Sequence, residues 1–316
     1  MSLNSLLSDF LSDKVEPDIE RDRIKDAHIE IRAMVEELLE DVYETSFVMG
    51  SYKRHTLTRR LSDDEKYDVD VMFVLNEDED LSGLLDTMEI VAQSIVDQVD
   101  EIESYRRQKV SVGLRYKDNF SIDMVPSQLN DDGTYNIYDD REQKEVKTNP
   151  LKHVETISAL NANRNNLLVP LIKLAKRWKQ ENAPKMMKSF HLEMLAVQIF
   201  NENEIPNLRD GLKLFFSEAK RLTDDKAKII DPVGGHDISA YLDSEDNPQR
   251  DSAVDALSIA ADAMSDALEQ ESNNETLMLR AVGRIYSDFK NETDTAKSQG
   301  ISSALEESNA PRPWSL

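Results

Sequence analysis

The spacing of apolar and polar positions along the chain changes several times, and each change predicts an element. Ile24, His28, Ile31, Val35, Leu38, Leu39 and Val42 recur at helical spacing with charges between them, which predicts a long amphipathic helix after a short one near residues 4–14. An apolar strand around Ser46 to Met49 runs into Gly50-Ser51, and a basic helix is expected from about Tyr52 to Leu61. The acidic loop Ser62 to Lys66 follows. Tyr67, Val69, Val71, Phe73 and Leu75 then alternate with Asp68 and Asp70, the period of a strand that buries one face. Leu84, Met88, Val91, Ile95, Val99 and Ile102 return to helical spacing. A strand over Val110, Val112 and Leu114 follows, then a turn at 117–119 and a strand bearing Phe120, Ile122 and Met124 on one face and Asp123 on the other. The stretch from Gln128 to Pro150 is polar and is expected to wrap back over the cleft. From Pro150 the pattern is almost wholly helical, near 150–162, 167–182, 189–203, 208–222, 248–270 and 275–290. This divides the chain into a mixed sheet lobe with an N-terminal helix (1–149), a helical lobe (150–290) and an aperiodic tail (291–316) with Trp314 as its one candidate anchor.

The polar positions of this pattern carry the candidate chemistry. Asp68 and Asp70 share one face of one strand, and like charges so close repel unless a cation sits between them. Oxygen-only donors at adjacent positions suit Mg²⁺. Gly50 and Ser51 stand where a strand turns into a helix, so backbone N–H groups and a hydroxyl collect at the positive end of that helix, a geometry that binds phosphate. Each motif has an ordinary counterpart: Gly-Ser pairs occur in turns, and Asp-x-Asp occurs on solvated strand faces. Their order and spacing together point to a nucleoside triphosphate held beside a metal.

Composition narrows the chemistry further. A chain of 316 residues with 39% hydrophobic and 32% charged content can bury one or two cores. With no cysteine there is no disulfide, thiolate nucleophile or Cys-ligated zinc, and the five histidines lack metal-ligand spacing. Metal work therefore falls to carboxylates. The net charge of −24 opposes binding to a nucleic-acid backbone, so no nucleic-acid template is expected. No 18-residue apolar run and no secretory signal are visible, so a cytoplasmic chain with no membrane partner is expected.

One segment reverses the acidic balance. Between Leu171 and Phe190, six Lys or Arg residues face the single acid Glu181. Leu168, Leu171, Ile172, Ala175 and Trp178 form the apolar arc of this helix, with Lys173 opposite and Lys176 at its edge, where it can point into a cleft or simply belong to a solvated face.

Gly50-Ser51 and Thr56 in GSYKRHT, followed by Asp-Val-Asp on a strand, resemble the signature of the DNA polymerase beta-like nucleotidyltransferases. LIKLAKRW followed by KSFHLE is similar to the second-lobe pattern of the bacterial cyclic-oligonucleotide synthases within that superfamily, relatives of the animal cyclic GMP-AMP synthase and the oligoadenylate synthetases. The resemblance spans roughly residues 20–290. It implies an α+β, bilobed nucleotidyltransferase with its site in the cleft between the lobes. It also implies a third carboxylate on a later strand, which Asp123 supplies. By residue, Lys176 and Ser189 match triphosphate contacts and Phe190 matches the ring that stacks on the base, with plain core packing as its alternative. Phe190 stands where Tyr is more usual. Asp231-Pro232 is similar to a segment near the nucleotide pocket, although Asp-Pro also starts ordinary turns.

The implied reaction is nucleotidyl transfer with two Mg²⁺ ions (or Mn²⁺) on Asp68, Asp70 and Asp123. The implied product is a cyclic di- or trinucleotide second messenger made from nucleoside triphosphates, ATP among them, in bacterial antiphage signalling with regulatory or effector proteins as partners. Two other readings fit the same residues: a linear transferase acting on RNA, a protein or a small molecule, and a catalytically silent nucleotide-binding regulator.

Overall fold

The computed structural model describes residues 1–76, 81–244 and 248–290. The expected tail and its Trp314 lie outside the described residues. In chain order the elements are α1 (Leu3–Phe10), α2 (Arg21–Leu38), β1 (Tyr43–Val48), α3 (Gly50–Lys53), β2 (Tyr67–Leu75), α4 (Leu81–Val96), β3 (Ile102–Arg107), β4 (Val112–Tyr116), β5 (Phe120–Leu129), β6 (Tyr135–Asp139) and β7 (Lys144–Thr148). The helices α5 (Pro150–Asn163), α6 (Leu168–Asn182), α7 (Ser189–Glu202), α8 (Leu208–Asp224), α9 (Arg250–Gln270) and α10 (Glu275–Val282) follow. The α+β class read from the sequence is the observed one.

The chain folds into two compact units whose borders differ from the expected ones. One comprises residues 13–173 with 229–238, and the other residues 1–12, 174–228 and 239 onward. The division thus falls inside α6 and not at residue 149. The short first helix belongs with the helical unit, because Leu3, Leu6, Leu7 and Phe10 are its buried stripe and Phe10 packs on Tyr286 with ring centres 4.7 Å apart.

In the sheet-bearing unit the strands run β1-β2-β5-β4-β3, with the β6-β7 hairpin continuing from β5. The β2–β5 pair is parallel and its neighbours are antiparallel, which makes the sheet mixed. Period-two alternation puts Tyr67, Val69, Val71, Phe73, Ile122 and Met124 into one core. It is closed by Leu84, Met88 and Ile95 of α4 and by Ile24, Ile31 and Val35 of α2. The other sheet face begins with the aspartates and continues as a smaller cluster of Met72, Val74, Val125 and Tyr135. Tyr135 explains why the polar stretch after Pro126 forms a hairpin: it and Ile137 cover that second cluster, and the backbone of β6 and β7 pairs residue for residue over Tyr135–Asp139 and Lys144–Thr148.

The expected helix over 52–61 is a single turn, α3. His55 takes φ +61°, and the chain beyond it runs extended against residues 13–16: Arg59 N donates to the Val15 carbonyl at 2.8 Å, and its guanidinium donates to the carbonyls of Asp13 (2.6 Å) and Glu16 (3.0 Å). These fixed contacts outweigh the helix propensity of a Lys/Arg-rich segment.

The helical unit packs around α8 and α9. Leu212, Phe215, Phe216 and Ala219 of α8 are buried, as are Ala253, Leu257, Ala260, Ala263, Met264 and Ala267 of α9. Small alanines let the two helices approach closely. Arg250 fixes the start of α9, donating to Asp243 at 2.7 and 2.6 Å and to the Thr223 carbonyl at 2.7 Å.

Candidate active site

The register of the parallel pair sets Asp70 directly beside Asp123 and Asp68 beside Ser121. Directly paired residues project from the same face, so two strands deliver three carboxylates to one surface. Asp68 is exposed, Asp70 half-buried and Asp123 buried. Ser121 Oγ donates to Asp68 Oδ1 at 2.7 Å, and Gln108 Nε2 donates to Asp123 Oδ1 at 2.8 Å. Burial, and then the charges of Asp70 and Asp68, push Asp123 up to about 8.

Gly50 closes the site from the other side. It takes φ +67°, and a Cβ added there would lie 1.7 Å from Asp70 Oδ2, so only glycine lets the backbone pass against that carboxylate. Met49 N donates to the Asp70 carbonyl at 2.8 Å, pinning the turn to the same residue. Ser51 follows, its carbonyl accepting from Thr56 N at 3.0 Å, and Thr56 is fully buried. The single turn of α3 is too short for the helix-end effect expected from the sequence. What Gly50 offers instead is a bare backbone beside Asp70, with Ser51 next in the chain.

The chemistry of this donor set fits a divalent cation: the donors are oxygens, they are like-charged, and burial together with its neighbours drives one of them toward its protonated form. As the side chains stand, no three acidic or histidine groups among the described residues enclose an ion. Ser121 and Gln108 each donate to one of the three carboxylates.

In the helical unit the basic segment differs from a solvated helix face. Lys176 and Arg177 are buried, and so is Lys173 on the portion of α6 in the sheet-bearing unit. Each has a carboxylate: Lys173 Nζ meets Glu16 at 2.6 Å, Lys176 Nζ meets Glu193 at 3.1 Å, and Arg177 reaches Glu181 at 2.6 Å and Asp288 at 2.8 Å. Three of the six cations of the segment are thus matched by carboxylates within the fold. Ser189 is the first residue of α7 and Phe190 is half-buried beside it. Tyr241 holds this helix start, its hydroxyl accepting from Lys188 N at 2.8 Å and lying 3.0 Å from His191 Nδ1. Sequence reasoning missed Gln108, Glu193 and Tyr241; of these, only Glu193 carried a signal, as the acid closing KSFHLE.

Asp231 is placed differently from a ligand-facing residue. It is buried, its Oδ1 lies 2.7 Å from His153 Nε2 and accepts from Val233 N at 2.9 Å, and Gly235 N donates to its carbonyl at 2.9 Å. Burial pushes its carboxyl up, but the His153 and Val233 contacts outweigh that and hold it below the usual range. The structure thus commits Asp231 to tying the 231–236 turn to α5.

Among the described residues no helix is long and apolar enough to cross a membrane. Residues 1–161 match the Second Messenger Oligonucleotide or Dinucleotide Synthetase domain family. A curated cyclic AMP-AMP-AMP synthase from Acinetobacter sp. (strain ATCC 27244 / 9458) is 31% identical over 172 residues, 52% of this chain and 48% of that protein, so the chain spans about half the length of that relative. The fold is similar to that of CdnC from E. coli MS115-1, solved as a CdnC:HORMA-deltaN complex (TM-score 0.72, 21% identity, 90% of this chain and 97% of that one). It is also similar to the CD-NTase CdnG from Bradyrhizobium diazoefficiens in complex with GTP (TM-score 0.72, 15% identity, 93% and 98%). A Vibrio cholerae di-nucleotide cyclase, DncV, aligns at TM-score 0.72 with 11% identity over 91% and 96%. With the paired aspartates and the Gly-Ser turn set together in the matched residues, this chain belongs to the Second Messenger Oligonucleotide or Dinucleotide Synthetase domain family.

Proposed function

We propose that the chain is a nucleotidyltransferase that joins nucleoside triphosphates, ATP among them, into a cyclic di- or trinucleotide. The observation that carries this reading is the register that sets Asp70 beside Asp123 while Gly50 passes against Asp70. In each transfer a ribose hydroxyl oxygen attacks the α-phosphorus of a second nucleotide, the bond to pyrophosphate breaks, and the hydroxyl proton is lost. Gly50 and Ser51 bind the phosphates of the nucleotide under attack, and in the helical unit Lys176 and Ser189 are assigned phosphate contacts and Phe190 base stacking from the family resemblance. Asp68, Asp70 and Asp123 would hold two Mg²⁺ ions, or Mn²⁺, which when bound neutralise charge on the attacking oxygen and the departing pyrophosphate. With the ions bound, Asp123 would serve as a carboxylate ligand, and the hydroxyl proton would pass to solvent. Little covalent work falls to the protein, so alignment and charge supply most of the rate.

CdnC is described with a HORMA partner and with ATP, and CdnG with GTP. By analogy we assign this chain nucleotide substrates without a nucleic-acid template, and regulatory or effector proteins in antiphage signalling inside the cell. The charge of −24 supports independence from a polynucleotide.

The test incubates α-labelled nucleotides with the protein and Mg²⁺, with and without DNA or RNA, and then adds alkaline phosphatase. A ring has no terminal phosphate, so a resistant product formed equally well without nucleic acid is expected. Phosphatase-sensitive ladders alone, or activity that needs RNA, would refute cyclisation in favour of a linear transferase.

A further inference from the structure

The cross-strand row that holds the catalytic acids continues past them. Asp70 pairs with Asp123, Asp123 with Gly113 on β4, and Gly113 with Arg106 on β3. Direct partners share a face, so Arg106 projects from the same surface as the two carboxylates, two strands or roughly 10 Å from Asp123. The position between them has no side chain, and it cannot gain one cheaply: a Cβ on Gly113 would lie 2.6 Å from Asp123 Oδ1 and 2.7 Å from Gln108 Nε2. The row therefore leaves an open lane from the carboxylates to the guanidinium.

That lane belongs to a cavity of about 900 Å³ in the sheet-bearing unit, lined by Asp68, Asp123 and Arg106 and by Arg141 from the β6-β7 turn. This is a ligand-sized space. Four other cations line it, and each already holds a carboxylate: Lys66 and Arg115 share Glu103 (3.3 and 2.7 Å), Arg107 holds Asp140 (2.9 Å), and Lys109 holds Asp139 (2.7 Å). Arg106 and Arg141 are exposed and have no carboxylate partner among the described residues. Asp64 and Glu65 line the cavity as well as Asp68 and Asp123, so six cations face four acids, and the two guanidiniums without a carboxylate partner are placed to receive an anion.

Resting on the nucleotidyltransferase reading, the anion can be identified. On that reading the nucleotide under attack has its phosphate contacts in the sheet-bearing unit at Gly50 and Ser51. The nucleotide that supplies the attacking hydroxyl carries its own triphosphate, which must lie near three carboxylates and has no cation assigned to it. We propose that Arg106 and Arg141 bind the 5′-triphosphate of this acceptor nucleotide during the first transfer. Forked guanidinium donors match phosphate oxygens in pairs, which holds the acceptor in one orientation while its hydroxyl attacks.

Titrating the full chain with inorganic tripolyphosphate in Mg²⁺ involves no transfer step and so reads the site independently of turnover. We expect Arg106→Ala with Arg141→Ala to weaken one class of tripolyphosphate sites by about tenfold per arginine, and Ser51→Ala with Ser189→Ala to weaken a different class. In transfer assays the ratio of acceptor KM between an unphosphorylated nucleoside and its triphosphate should shift about tenfold or more in the arginine variant. Arg106→Lys should recover only part of the loss, because a point charge replaces a fork. Unaltered tripolyphosphate binding in the double arginine variant, or equal KM changes for both acceptors, would overturn the inference and leave nucleotidyl transfer standing. Arginine-dependent binding in a protein that makes no product would keep the triphosphate site and remove the transferase reading. An RNA oligomer bound through the same arginines and not displaced by tripolyphosphate would assign them to a polynucleotide and overturn the proposal.

Discussion

Replacing Gly50 by alanine tests the site at its tightest point. Two penalties arise and can be estimated separately. An L-residue held at φ +67° costs about 1–2 kcal/mol. The new Cβ would sit 1.7 Å from Asp70 Oδ2, so the Asp70 carboxylate must swing away, at about 0.5–1.5 kcal/mol for a side chain driven off its rotamer. Together these amount to about 2 kcal/mol. The sheet-bearing unit has roughly 170 residues, for which each kcal/mol lowers Tm by about 2–4 °C, so a fall of about 4–8 °C is expected. Catalysis should suffer far more. A displacement of about 1 Å in a group that aligns the reaction costs about a hundredfold, so kcat should drop by at least that factor in a protein that remains folded at assay temperature.

Gly133→Ala separates the two penalties. Gly133 also has a positive φ, +75°, but nothing lies within 4 Å of the added Cβ. It should lose only the backbone part, about 1 kcal/mol, and keep its activity. Thermal melts and steady-state rates on both variants decide the matter. If Gly50→Ala and Gly133→Ala show the same loss of Tm and the same activity, the close approach to Asp70 has no catalytic meaning, and the turn needs glycine only for its backbone.

Other perturbations probe the remaining contacts. Asp68→Asn with Asp70→Asn should abolish nucleotide turnover while leaving Tm equal or higher, since it removes repulsion and keeps an acceptor for Ser121; normal turnover would remove the carboxylates from the mechanism. Lys176→Met strips the ammonium from Glu193, which is 1% exposed, and should destabilise by about 3–5 kcal/mol in denaturant titrations. Adding Glu193→Gln should restore most of that stability while the nucleotide KM stays raised; a KM that recovers with stability would make Lys176 purely structural. Phe190→Ala should change base preference more than kcat, read from competition between ATP and GTP. Asp231 has a depressed folded-state value, so its contribution to stability is fully present above about pH 4 and fades as pH falls through that lower value. The stability gap between wild type and Asp231→Asn should therefore be widest near neutrality and close in acid, and a gap that does not depend on pH would contradict this assignment.

Local periodicity made most of the architecture legible in the sequence, and its failures have definite causes. The helices from α5 to α9 were visible because an amphipathic stripe repeats within one segment. β3 was hidden in IESYRR, an edge strand of which only Ile102 is fully buried, so neither of its faces shows an apolar alternation. β6 and β7 were hidden because their justification is the cluster under Tyr135, formed with Met72, Val74 and Val125 from strands read separately. The reverse error at 52–61 has the same origin. Good helix formers there are held extended by Arg59, whose partners are backbone carbonyls more than 40 residues earlier.

The same distinction separates the parts of the site. Asp68, Asp70 and Asp123 could be set on one face from sequence, because the side-chain period of a strand is two and the apolar residues fix its phase. Which acid stands beside which, and that Arg106 lies in line with Asp70 and Asp123 across Gly113, depends on the pairing of four strands. The basic island has partners that its local sequence does not show. A run of lysines and arginines reads as a free positive surface only if its counter-charges are distant, and here Glu16, Glu193 and Asp288 reach it from elsewhere in the chain. The cations without a carboxylate partner beside the acidic face are instead Arg106 and Arg141, two arginines that no local excess of charge distinguishes. Where nearly every lining cation is neutralised by a neighbour, the capacity to bind an anion is set by which cations remain unpaired, and that is a property of the fold.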